Sequence, residues 1–160
     1  HVRSRARSLV PDVIWQSTSL IDGPVNAHFD ATSNTLVAGS ETLRFTSTDP
    51  TDLRAVDAEG HTYRLVKRSI TVARYEAICS AEGATGERGR RYTARRAGGV
   101  IERRREIANE AGEPVAVAVG KLNGDLELRP TGGAQVPFLD LAFISWALTY
   151  VDAPTRRTLY

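Results

Sequence analysis

Short runs of alternating apolar and polar residues, broken by turn dipeptides, occupy most of the chain and predict a predominantly β protein. In "LELRP", Leu126 and Leu128 share one face and Glu127 and Arg129 the other, the alternation of a half-buried antiparallel strand. "LRAVDAEGHTYRLVKR" reads as strand, turn at Asp57–Gly60, and returning strand; "REIANEAGEPVAVAV" repeats this with its turn at Asn109–Gly112. "VGKLNGDLELRP" adds a third hairpin around Asn123-Gly124. Further strands are expected at Val13–Leu20, Thr35–Val37, Thr42–Thr46, Ile70–Ser80, Arg90–Ala97 and Val100–Ala108. In "PVAVAV", either both faces are covered or small residues sit where something packs very close. "GATGERG" (Gly83–Gly89) reads as a long hairpin loop.

One segment breaks the pattern. "PFLDLAFISWALTYVD" (Pro137–Asp152) holds a single charge, Asp140, between Phe138 and Val151. A membrane span needs roughly 20 apolar residues for a core of about 30 Å, whereas this run would cover about 21 Å as a helix. A strand is a poor fit, because apolar residues fall on consecutive positions. A buried helix fits best. Pro137 suits the first turn, Asp140 suits the positive end of the helix dipole, and Pro154 stops the helix. A helix apolar on every side must be surrounded on every side, so the strands are expected to wrap it.

This layout, with the hairpins "VDAEGHTYRL" and "ANEAGEPVAVAV", the hairpin "NGDLELRP" and the terminal "VPFLDLAFISWALTYV", resembles the tubby-like superfamily. That group includes the tubby C-terminal domain, the LURP-one-related proteins and the phospholipid scramblases, and the chain length suits the smaller LURP-one-like members. The likeness runs from Thr35 to Val151. It implies a mainly β fold: a closed antiparallel β-barrel wrapped around a C-terminal buried hydrophobic helix. The alternative is a sandwich with the helix as a lid, for which the helix should show a polar face. The expected division is a flexible segment over 1–11 beginning on a tag remnant, one tubby-like barrel domain over 12–152 with its helix near 137–151, and a tail over 153–160.

Composition bounds the function. The apolar share of 41% and charged share of 25% are those of an ordinary globular domain. "HVRSRARSLVP" has no apolar run of signal-peptide length, and the expected location is the cytoplasm, peripheral at a membrane where lipid is bound. Arginine outnumbers lysine 19 to 2, which suggests a GC-rich bacterial coding sequence. The lone Cys79 excludes an intrachain disulfide and a thiolate metal site, and reads as a small buried residue.

Charge is concentrated. From Gly86 to Glu106 stand eight arginines (Arg88, Arg90, Arg91, Arg95, Arg96, Arg103, Arg104, Arg105) against Glu87, Glu102 and Glu106, in a chain of net charge +2. If "RYTARR" and "VIERRRE" pair across Ala97–Gly99, their arginines meet, and an anionic partner would relieve the repulsion. The bland alternative is a solvated, salt-bridged face. The candidate partner is an anionic membrane surface or phospholipid headgroup, or another phosphate-bearing ligand. The resemblance favours lipid, because tubby binds phosphoinositides and scramblases act at membranes, but it carries no site residue over. The alternative function is a protein-interaction or regulatory module. Tyr92 is the only interleaved aromatic, which argues against nucleic acid. No catalytic constellation stands out, so a non-enzymatic domain is expected. No cofactor motif or acidic Ca²⁺ loop stands out either; no pair among His1, His28 and His61 has metal-ligand spacing, His61 after its turn glycine reads as a surface residue, and Trp15 as lining or covering a barrel mouth.

Overall fold

A computed structural model describes residues 13–71, 73–82, 88–97, 103–131 and 135–152. Twelve strands precede one helix. They are β1 (Val13–Gln16), β2 (Ser19–Ile21), β3 (Ala27–Asp30), β4 (Thr35–Ala38), β5 (Glu41–Asp49), β6 (Asp52–Asp57), β7 (Thr62–Lys67), β8 (Arg74–Ala81), β9 (Arg90–Ala97), β10 (Arg103–Asn109), β11 (Pro114–Gly120) and β12 (Leu126–Pro130); α1 spans Phe138–Asp152. Each strand pairs antiparallel with its sequence neighbours, and β1 closes on β12 with Val13 opposite Leu128 and Trp15 opposite Leu126. The result is a closed up-and-down barrel, which leaves no sheet edge to aggregate.

Turn chemistry sets the hairpins. Asp57 Oδ1 accepts the Glu59 and His61 backbone N–H groups at 2.9 and 2.8 Å. Asn109 Oδ1 does the same for Ala111 and Glu113 at 3.0 and 2.9 Å. Each turn ends on a glycine in the left-handed region, Gly60 at φ 89° and Gly112 at φ 85°. The shared Asp/Asn-x-x-Gly spacing is thus one device used twice.

The helix lies inside the barrel. Every residue from Leu139 to Thr149 is buried, which covers all faces of the helix. Its partners come from around the circumference: Phe29 of β3 stacks on Trp146 at 4.6 Å, Phe45 of β5 on Phe143 at 5.7 Å, and Tyr63 of β7 meets Phe143 edge-on at 5.5 Å. Trp15 of β1 lies 4.9 Å from Trp146 and donates its indole N–H to Ser145 Oγ at 2.9 Å. An interior just wide enough for side chains needs about eight strands, and diameter grows with strand number. Twelve strands leave room for a helix about 10 Å across. On β11 the residues sharing the face of Leu126 and Leu128 are Ala116, Ala118 and Gly120, and a Cβ on Gly120 would lie 2.9 Å from the Asp152 carbonyl oxygen. The small residues of "PVAVAV" mark a close approach of helix to strand. Val119 is buried on the outer face as well, between Arg104 and Glu127 on the neighbouring strands.

Two sequence expectations change, and a third lies partly outside the described residues. Val13–Leu20 is two strands, because the chain reverses at Ser17-Thr18, with Ser17 at φ 58°. The strand expected from Ile70 begins at Arg74, since residues 68–71 form a loop cross-linked by Ser69. The strand expected from Val100 is described from Arg103; the turn at 98–99 and most of the 83–89 loop lie outside the described residues. The strand β3 was not foreseen. Pro137 precedes the helix, its carbonyl accepting the Asp140 N–H at 3.0 Å. Residues 1–11 and 153–160 also lie outside the described set. No described helix is long and apolar enough to cross a membrane.

Candidate functional site

The arginine-rich hairpin β9–β10 contributes to both the core and one mouth of the barrel. Strand alternation divides its side chains. On β9, Arg90, Tyr92, Ala94 and Arg96 share the inward side; on β10, Arg103, Arg105 and Ile107 do. The pairing expected from the sequence is present, with Arg105 opposite Arg96 and Glu106 opposite Arg95.

Three of the eight arginines contact the helix, two of them through its carboxylates. At its N-terminal end, Arg90 grips the fully buried Asp140 with two hydrogen bonds, Nε to Oδ2 at 2.7 Å and Nη2 to Oδ1 at 2.9 Å. The Tyr92 hydroxyl donates to Asp140 Oδ2 as well. The hydrogen bond to Asp140 raises the Arg90 pKa, and burial, reinforced by that carboxylate, raises those of Tyr92 and Tyr63, the latter to about 12. Burial also pushes the nearby Cys79 thiol well above its usual range, so it stays protonated and is no nucleophile.

At the opposite end, Arg105 has no exposed surface and meets Asp152 through Nε to Oδ2 at 2.6 Å and Nη2 to Oδ1 at 3.1 Å. Its guanidinium sits 5.1 Å from the Tyr75 ring centroid. Arg103 Nη1 donates to the Asp152 carbonyl at 3.1 Å. A carboxylate at a helix C-terminus opposes the dipole, and the last turn of α1 holds no basic residue, so the cations come from β10 instead. Arg105 is a core residue and cannot meet a ligand outside the barrel.

Apart from Arg90 and Arg105, these arginines are exposed or half-buried. Arg88 pairs with Glu82 at 3.5 Å and Arg91 with Glu76 at 3.4 Å, both in the half of the barrel where Arg90 lies. Arg95, Arg96, Arg103 and Arg104 gather at the mouth where the helix ends. Arg74 of β8, directly opposite Arg95, joins them. The sequence reading missed Arg74, because only the β8–β9 register brings it there. Among the described residues, none of these five forms an ion pair; Arg74 and Arg103 donate only to backbone carbonyls. The loop between β7 and β8 closes onto the same place, with the Arg96 N–H donating to the Ala73 carbonyl at 2.8 Å.

At the other mouth, among the described residues, Asp57, Glu59 and His61 offer ligand atoms within 4.8 Å of one another. His61 Nδ1 is 3.3 Å from Asp57 Oδ2, and Nε2 is 3.7 Å from Glu82. The set could hold a divalent cation, but Asp57 Oδ1 is already spent on the turn.

The molecule is therefore a closed twelve-stranded antiparallel barrel around a C-terminal helix, with arginines at one mouth that form no ion pair among the described residues. Compared with protein-family models, curated proteins and solved structures, the chain matches none.

Proposed function

We propose that this is a non-enzymatic, tubby-like binding domain that takes the phosphate of an anionic phospholipid headgroup at the mouth formed by Arg74, Arg95, Arg96, Arg103 and Arg104. One observation carries the reading: five arginines on three neighbouring strands stand together without a carboxylate in ion-pair reach among the described residues. Like charges held side by side in a sheet cost stability, and a phosphate offsets that cost while accepting bidentate guanidinium bonds. The order of elements, strands first and an enclosed apolar helix last, supports the tubby-like assignment. A peripheral position on a cytoplasmic membrane face follows from this reading.

Co-sedimentation with phosphatidylcholine vesicles, with and without cardiolipin, at low and high salt, tests it. Binding is expected only with cardiolipin and should weaken with salt. Each arginine near an anionic surface contributes about 1 kcal/mol, so Arg95, Arg96 and Arg104 replaced by Ser should lose roughly a hundredfold. Unchanged binding in that variant would sink the proposal.

A further inference from the structure

Among the described residues, two large apolar side chains stand almost fully in solvent, Ile70 at 97% and Leu122 at 92% exposure. Both lie at the arginine mouth. Ile70 tips the β7–β8 loop, between Arg68 and Arg74. Leu122 sits in the β11–β12 turn, two residues past Gly120, which is the cross-strand partner of Arg103. Strands β9 and β10, with their arginines, lie between these two loops in the barrel order.

Neither residue is held out by accident of a loose loop. Ser69 Oγ donates to the Thr71 carbonyl at 2.7 Å and accepts the Arg74 N–H at 3.1 Å, while Arg74 Nη2 donates to the Arg68 carbonyl at 3.2 Å. The Leu122 turn is closed by Gly124 N–H to the Lys121 carbonyl at 3.0 Å and Lys121 N–H to the Asp125 carbonyl at 2.8 Å. Each tip presents its side chain on a braced frame.

Resting on the headgroup reading above, we infer that this mouth is a membrane-docking face: Ile70 and Leu122 insert into an anionic bilayer while the arginines between them meet the phosphates. A single exposed Leu or Ile on a protein surface means little. Two on loops of one barrel end, flanking a cluster of cations without carboxylate partners among the described residues, match the two layers of a bilayer surface, anionic outside and apolar beneath. A soluble phosphate would use the arginines and leave both tips in water. Docking in this way sets the helix C-terminus toward the membrane and the Asp57–Gly60 hairpin away from it.

The test compares the intact chain with Ile70→Ser/Leu122→Ser on phosphatidylcholine–cardiolipin vesicles and, separately, on inorganic pyrophosphate by calorimetry. Both residues are exposed, so the variant keeps its fold. Loss of each apolar contact is expected to weaken vesicle partitioning about tenfold, and the two together about a hundredfold, with pyrophosphate affinity unchanged. If the variant binds vesicles as well as the intact chain does, insertion is overturned while the headgroup reading stands. If the intact chain ignores the vesicles altogether, both fall together. Equal loss on vesicles and on pyrophosphate would also overturn insertion, because the tips would then be acting through the arginines.

Discussion

The ion pair between Arg105 and Asp152 ties the last residue of the helix to the barrel wall, and its burial makes its energetics unusually testable. Arg105 side-chain exposure is 0% and that of Asp152 is 2%. Coulomb attraction in such a site is strong, but both ions have lost their hydration, so the pair as a whole contributes little net stability. Removing one partner is another matter. In Asp152→Asn, the Arg105 guanidinium stays buried with its counter-charge gone, at a cost of about 3–5 kcal/mol. For a domain of this size each kcal/mol lowers Tm by about 2–4 °C, giving a fall of roughly 6–20 °C. Arg105→Met should cost a similar amount. The double variant Arg105→Met/Asp152→Leu should recover to within about 1 kcal/mol of the parent, because packed apolar groups replace the pair. Urea unfolding of the four proteins closes a double-mutant cycle, with an expected coupling of at least about 2 kcal/mol. Arg95→Ser, exposed on the outer face, is the control and should move stability by no more than about 0.5 kcal/mol. Single variants that cost under about 1 kcal/mol each and add independently would refute the assignment of Arg105 to the core.

Three further outcomes are expected. Trp15 and Trp146 are both buried, so iodide should quench neither until the protein unfolds; ready quenching of the native protein would mean the helix is not enclosed. Tyr63 ionises at about 12 folded against an ordinary 10.0, so it holds its proton more tightly in the folded state; its contribution is complete below pH 10 and lost as pH rises to 12, and tyrosinate absorbance should lag until circular dichroism shows the barrel melting. Gly120→Ala places a Cβ 2.9 Å from the Asp152 carbonyl and should cost about 1–3 kcal/mol in thermal unfolding, with Gly60→Ala strained for a different reason, its positive φ.

Much of the fold was legible because local rules and global packing agree here. The Asp/Asn-x-x-Gly turns, the alternation in "LELRP" and the unbroken apolarity of Phe138–Val151 each point to one structure, and their conjunction points to an enclosed helix. The strand β3, "AHFD", escaped notice because it is short and lacks β-branched residues, though Ala27 and Phe29 do alternate inward. The candidate site was legible only as a stretch. Sequence neighbours Arg104 and Arg105 face opposite ways across the sheet, so a run of arginine conceals two roles. Which face is inward depends on the register with β11, where Ala118 lies opposite Arg105. Likewise nothing local marks Asp140 and Asp152 as partners of Arg90 and Arg105, some fifty residues away.

Placing the helix after all twelve strands has a consequence for biosynthesis. All twelve strands leave the ribosome before the element that fills them, and the first strand cannot meet its second neighbour until β12 has been made. An unfilled barrel of this width would expose its apolar lining, so closure and filling have to occur together, once the helix has been made. Folding of this kind, dominated by a late long-range pairing, is slow and leaves a sticky nascent sheet in the meantime. A ribosome that stalls before Phe138 therefore releases a chain with every strand and no core, a natural client for chaperones or proteases.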